Sequence, residues 1–280
     1  MRTLIDGGTF FEGPRWHDGR WWVSDFFRHT VLSFDADGRD ERQEASVPGQ
    51  PSGLGWAPDG SLLVVSMLDH RLLRRAGSAL QEVADLSAYA GGPCNDMVVD
   101  ASGRAWIGNF GFDLWGGGEP STASLLRVDP DGTAAIAATD LAFPNGSVVT
   151  PDGCTLIVGE TGGARYSAFS VQPDGSLTDR RTWAELPGVA PDGCALDAEG
   201  RIWSADAYGG RCVLVQEGGR ILKEVRAPEG LNVFACMLGG PDGTTLLMCC
   251  APDSDAKKRA STREALLVAT EVAVGRAGLP

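Results

Sequence analysis

The chain has 280 residues, 43% of them hydrophobic and 22% charged, with a formal net charge of −13 at neutral pH. That composition supports a sizeable buried core, and the acidic excess disfavours a nucleic-acid partner, because phosphate binding needs a basic face. No run approaches the ~18 apolar residues of a membrane helix, so no membrane partner is expected.

At the N-terminus, MRTLIDGGTFFEG lacks the apolar run of a secretory leader, and the expected compartment is the cytoplasm. The seven cysteines are an odd number without a C-x-x-C pair. They read as buried small hydrophobes and not as a disulfide framework. A nucleophilic cysteine would want a histidine. Only His17, His29 and His70 exist, two of them in or beside turn-like segments.

In chain order, the strand-like runs RWWVSD, SLLVVS, RAWIGN, TLIVGE, RIWSAD and TTLLMC each follow a turn. The turns end in Asp18-Gly19, Asp59-Gly60, Ser102-Gly103, Asp152-Gly153, Glu199-Gly200 and Asp242-Gly243, at intervals of 41, 43, 50, 47 and 43 residues. Asp-Gly between strand residues is a strong hairpin signal. Second turns at 35–38, 129–132 and 172–175 raise the count to about four strands per repeat, the unit of a propeller blade. The expected fold is all-β: a six-bladed β-propeller with four-stranded blades, one domain over residues 1–280.

Toward the C-terminus, Lys257-Lys258-Arg259 reads as a solvated loop. The best helical candidate, Ser261–Val274, is interrupted by β-branched residues. The sixth repeat runs out near Glu264–Thr270. A ring must protect its edges, so the N-terminal strand around Thr3–Ile5 is expected to complete the last blade.

The first strand of a propeller blade lines the central channel. Counting back seven residues from the residue before each turn glycine gives Ser52, Asn95, Asn145, Asp192 and Ala235; the shorter first turn gives Glu12. Four of these six carry a carboxylate or amide oxygen, types depleted in strands. Glycine follows in four (Gly13, Gly53, Gly146, Gly193), where backbone or ligand must approach closely. Asn and Asp are also turn formers, but recurrence at one offset in four blades favours convergence on the axis. Oxygen donors, two of them anionic, suit one divalent cation: Ca²⁺ above all, with Mg²⁺, Mn²⁺, Zn²⁺ and Fe²⁺ admissible. The set contains no His or Cys, which argues against a structural zinc site.

The stretches FEGPRWHDGRWWVSD, NDMVVDASGRAWIGNF, FPNGSVVTPDGCTLIVGE and PDGCALDAEGRIWSAD make the chain resemble the gluconolactonase/regucalcin family (senescence marker protein type) over nearly its whole length. The resemblance implies a six-bladed propeller with one divalent cation in its channel, ligated by Glu12, Asn145 and Asp192. It implies a substrate-contacting Asn95, which in related phosphotriesterase propellers also binds the metal. The expected reaction is hydrolysis of a lactone or similar small ester, a small-molecule substrate. Asp192 would be base or nucleophile, Glu12 and Asn145 would chiefly hold the ion, and Asn95 would orient the carbonyl.

There is one departure. Sugar-lactone members similar to regucalcin carry an arginine two residues before the asparagine; here Pro93 and Cys94 precede Asn95. Beside it, the glycine-rich Gly108–Glu119 carries Phe110, which reads equally as blade packing, and Phe112 and Trp115, which read as loop residues against the substrate. A pocket less polar than a sugar site is expected, favouring alkyl-substituted lactones over glucono-δ-lactone. No G-x-S-x-G elbow is present, which disfavours a serine hydrolase. Two alternatives stay open: phosphotriester hydrolysis on the same metal site, and a non-enzymatic propeller that binds calcium or protein.

Overall fold

The structure is a computed structural model and describes residues 1–278. Its strands form six four-stranded antiparallel sheets arranged as a six-bladed β-propeller. The six turn glycines (19, 60, 103, 153, 200 and 243) all have positive φ, a region open to glycine and closed to most side chains. Each turn reverses the chain between a blade's innermost strand and the next, as from Pro51–Trp56 to Leu62–Ser66. Trp22, Trp106 and Trp203 hold one place in the second strand of blades one, three and five, and all three are buried. Large aromatics at a repeated position fill the space between neighbouring sheets.

Closure follows the sequence reading. The N-terminal strand Arg2–Gly8 pairs antiparallel with Ala265–Glu271, from Arg2 opposite Ala269 to Gly8 opposite Ala265. It is the outermost strand of a blade whose inner three come from the C-terminal end. The rest of the 261–274 segment is not helical either.

Beyond that strand, the chain crosses the turns of blades five and six, with Arg276 N donating to Gly243 O and Ala277 N to Leu196 O. The basic run differs from expectation. Ala256–Arg259 is one helical turn, capped by the Asp255 side chain, which accepts from the backbone N–H groups of Lys257 and Lys258. Both lysines are exposed, but Arg259 is buried between Asp253 (3.2 Å) and Glu264 (2.8 Å). Two carboxylates and an apolar stem let a guanidinium sit where a lone charge could not. All seven cysteines are free; six are buried and Cys154 is exposed. Among the described residues, no helix is long and apolar enough to cross a membrane.

Candidate active site

The innermost strands are Phe11–His17, Pro51–Trp56, Cys94–Val99, Pro144–Val149, Pro191–Leu196 and Asn232–Gly239. Glu12, Ser52, Asn95, Asn145 and Asp192 are each the second residue of theirs. Around this place the ladder to the neighbouring strand loses register in all five blades. A bulge frees a side chain from strict strand alternation and re-aims it. Ser52 and Ala235 lie outside the cavity described below; blade six presents Phe234 to it instead. The glycines that follow serve the backbone and not a ligand. A Cβ on Gly146 would stand 2.5 Å from the carbonyl oxygen of Asp192, so neighbouring inner strands could not come this close with any side chain there.

Glu12, Asn95, Asn145 and Asp192 line one cavity of about 480 Å³, and all four are more than nine-tenths buried. The guanidinium that bears on Glu12, Arg15, is already committed. It pairs with Asp96 at 2.7 Å and donates to the carbonyls of Pro14, Leu54 and Met97. Burial holds the Glu12 carboxyl well above the usual range, and Asp192 and Asp96 push it further; the Gly13 N–H (3.2 Å) and Arg15 offset part of this. Asp192 is raised in the same way, by burial and then by Asp96, with hydrogen bonds from Asn145 and the Gly193 N–H opposing.

Two buried acids with no ion-pair partner of their own among the described residues are costly as a protein alone. A hard divalent cation would offset both, so the donor chemistry fits one. Among the described residues no group of three or more His, Cys, Asp or Glu side chains is placed to hold a metal; amide oxygens would have to complete the set. Asn145 is oriented for that task. Its Nδ2 donates to Thr161 Oγ1 (3.2 Å), whose own proton goes to Pro191 O (2.6 Å), which leaves the Asn145 Oδ1 as the end available to a ligand.

Sequence reasoning missed the supports of these residues. Asp25, Glu160 and Asp206 end the second strands of blades one, four and five and are buried. Asp25 accepts from the N–H groups of Thr9 and Phe10, Glu160 from that of Ala142 (2.8 Å), and Asp206 from that of Ala190 (3.1 Å). Each acid thus clamps the turn just before Glu12, Asn145 or Asp192. Arg165 and Arg211 complete the latter two clamps at 2.9 and 3.0 Å. The signal was present as the final acid of RWWVSD, TLIVGE and RIWSAD.

The cavity wall is aromatic. Phe110, Phe112 and Trp115 all line it. Phe110 is buried, stacked on Phe143 (centroids 4.5 Å apart, planes 20° apart) and edge-on to Trp115 (5.4 Å, 77°). Packing and lining are therefore both its work. Pro93 is outside the lining; its carbonyl accepts from the Phe110 N–H at 3.0 Å. Unread in the sequence were Phe10, Phe26, Phe143, Phe234 and Tyr208, which join the wall from other blades. Among the described residues no histidine reaches the cavity: His29 and His70 occupy left-handed turns, and His17 stacks on Trp56.

Comparison with known proteins finds relatives along most of the chain. A 6-deoxy-6-sulfogluconolactonase of Pseudomonas putida is 32% identical over 155 residues, 54% of this chain and 52% of that enzyme, so the matched segment spans about half its length. A pentonolactonase of Haloferax volcanii is 28% identical over 248 residues, covering 86% of this chain and 81% of its own. Among solved structures, a calcium-binding protein, regucalcin, of Agrobacterium tumefaciens shares the fold, with a TM-score of 0.80 at 23% identity over 98% of this chain and 94% of that one. The profile of the SMP-30/Gluconolactonase/LRE-like region matches residues 10–251, a span that holds every inner-strand residue named above. This chain belongs to the SMP-30/gluconolactonase/LRE-like family.

Proposed function

We propose that the protein hydrolyses a lactone, or a small ester like one, at the floor of the cavity, with a divalent cation held by Glu12, Asn145 and Asp192. The observation that carries the reading is the meeting of two buried carboxylates and two amides from four blades in one cavity, with the Arg15 charge spent on Asp96. The two relatives named as lactonases support it. Ca²⁺ is the ion proposed first, in keeping with a fold relative described as calcium-binding.

When bound, the cation supplies positive charge to the carbonyl oxygen as it gains negative charge, and acidifies water. The chain does the rest. Asp192 takes the proton of the attacking water and returns it to the ring oxygen as the acyl C–O bond breaks, so that a single hydroxy acid is released. Glu12 balances charge and holds the ion, with Asn145 fixed by Thr161. The Asn95 amide donates to the ring carbonyl and orients it. The aromatic walls keep bulk water from the reacting centre and so strengthen each of these interactions.

The test is a panel of lactones, aryl esters and aryl phosphotriesters assayed with chelated protein and after each divalent ion is restored. Lactone opening that vanishes on chelation and returns with Ca²⁺ is the expected result. Turnover of phosphotriesters in preference to lactones would replace this reading by phosphotriesterase action on the same floor. No turnover of any of them by protein that binds the ion would leave a metal-stabilised, non-enzymatic propeller.

A further inference from the structure

The wall of the cavity is more specific than its floor. Phe143 has φ of +62°, a conformation that bulky residues rarely adopt, and it precedes Pro144, where extended backbone is favoured. The turn is held there by its surroundings. Glu160 accepts from Ala142 N, Gly162 N donates to Ala142 O, and Thr161 N donates to Phe143 O. Strain retained under such restraint points to a side chain whose placement matters. The restraint puts the Phe143 ring on the cavity wall two residues from Asn145, stacked on Phe110 and edge-on to Phe112 (6.1 Å, 66°), with one side still open to the cavity.

The polar groups of the wall are few and partly spent. Ser121 Oγ donates to Gly111 O at 2.6 Å, and Thr161 Oγ1 to Pro191 O. Thr122, Tyr208 and Ser254 also bring hydroxyls to the lining, but a sugar hydroxyl buried against the ring faces, away from these, would lose water without gaining a partner. Charge is also restricted. Among the described residues, no Lys, Arg or His lines the cavity, and its only carboxylic acids are Glu12 and Asp192. With no cationic side chain among the lining residues described, a sulfonated or carboxylated lactone would find no counter-charge on the wall.

We propose that the site takes an uncharged lactone bearing a flat apolar substituent, best an aromatic ring, seated against the Phe110–Phe143 stack, and that Phe143 sets this preference. The proposal rests on the lactonase reading. A ring on this wall gains an offset or edge-on aromatic contact, which is roughly a 2- to 12-fold gain in affinity beyond burial. Each further buried methylene adds about fourfold.

The experiment uses the cation-loaded full chain and three lactones: dihydrocoumarin, glucono-δ-lactone and γ-butyrolactone. Dihydrocoumarin is expected to exceed glucono-δ-lactone at least tenfold in kcat/KM. Phe143→Gly, which the left-handed backbone accepts, should lower the dihydrocoumarin-to-butyrolactone ratio at least threefold through KM. Phe112→Ala should lower it in the same direction should the glycine variant fail to fold. A parallel arm measures calorimetric binding of the lactam 3,4-dihydro-2-quinolinone, which has the same two rings and a bond the site does not open. Preference for glucono-δ-lactone overturns the proposal and leaves the lactonase reading intact. A ratio unmoved by either substitution overturns the role of Phe143. Tight lactam binding, weakened by Phe143→Gly, with no lactone opened overturns the lactonase reading and keeps the apolar pocket. No lactam binding and no turnover overturn both.

Discussion

The floor and the wall of the cavity are built by different rules. The floor is written in strand register: the second residue of four inner strands, a break in the ladder beside it, and in three of the four a following glycine where the next strand crosses. Because blades repeat, Asn95, Asn145 and Asp192 recur at one offset from a turn, and Glu12 one residue nearer its shorter turn. The wall comes from segments with no common length or pattern. Phe26 lies in a 3-10 turn, Phe110, Phe112 and Trp115 on or after a second strand, Phe143 before an inner strand, and Tyr208 in a turn. A scaffold of this kind keeps its chemistry while its substrate changes, since loops vary without disturbing the strands beneath them.

Substitutions separate the two. On the floor, Asp192→Asn keeps size and an oxygen donor but removes the proposed proton acceptor and one negative charge. With the cation saturated, activity should fall by at least ~10² while the folded content stays at the parent level. Circular dichroism beside steady-state rates checks both; near-parent kcat would make Asp192 a structural ligand only. Cation binding should also register in stability, because only the folded floor gathers its ligands. At a hundredfold excess over Kd the gain is about 2.7 kcal/mol, read as a rise of several degrees in Tm. Glu12→Gln should lose most of that rise. An equal Tm with and without Ca²⁺, in protein that elemental analysis finds metal-free, would remove the ion from the floor.

One layer out, the effects should be smaller and of another kind. Asp206 touches neither the cavity nor its contents; it holds Ala190 N and Arg211. Asp206→Ala should lower kcat about tenfold with KM little moved, since the turn carrying Asp192 loses its clamp. Asp206→Asn, which keeps an acceptor, should recover most of it. Equal losses in both variants would mean that charge and not position is what Asp206 supplies.

This layer shows where legibility ended. Glu12, Asn95, Asn145 and Asp192 could be read because the repeat sets each a near-constant count back from a hairpin turn, and the N-terminal closing strand because a ring needs one. Asp25, Glu160 and Asp206 were visible as strand-final acids, but an acid there is equally a turn former, and only tertiary contacts reveal the N–H it receives. Arg259 was read as solvated because its two carboxylates come from opposite sides of the helical turn. Phe143 was unreadable for a deeper reason: nothing in FPNG announces a phenylalanine with positive φ, which local propensity disfavours and only neighbouring loops can impose.

The smallest expected effect tests the wall at its outer margin. Trp115 is half-buried, edge-on to Phe110 and on the cavity lining, so it both supports the aromatic stack and offers a face of its own. It makes no hydrogen bond to the floor residues described, and its removal should leave the proposed proton transfers alone. Trp115→Ala should therefore raise KM for apolar lactones several-fold, the scale of one lost aromatic contact, with kcat changed less than twofold. Because glucono-δ-lactone gains little from ring faces, its KM should move less, and the ratio between the two substrate classes should narrow. A pH-indicator assay on γ-nonanolactone and glucono-δ-lactone reads that ratio directly. If both KM values rise together, Trp115 shapes the cavity through Phe110 and does not meet the substituent. If kcat falls instead, the loop reaches the floor, and the separation drawn between chemistry and specificity fails at this residue.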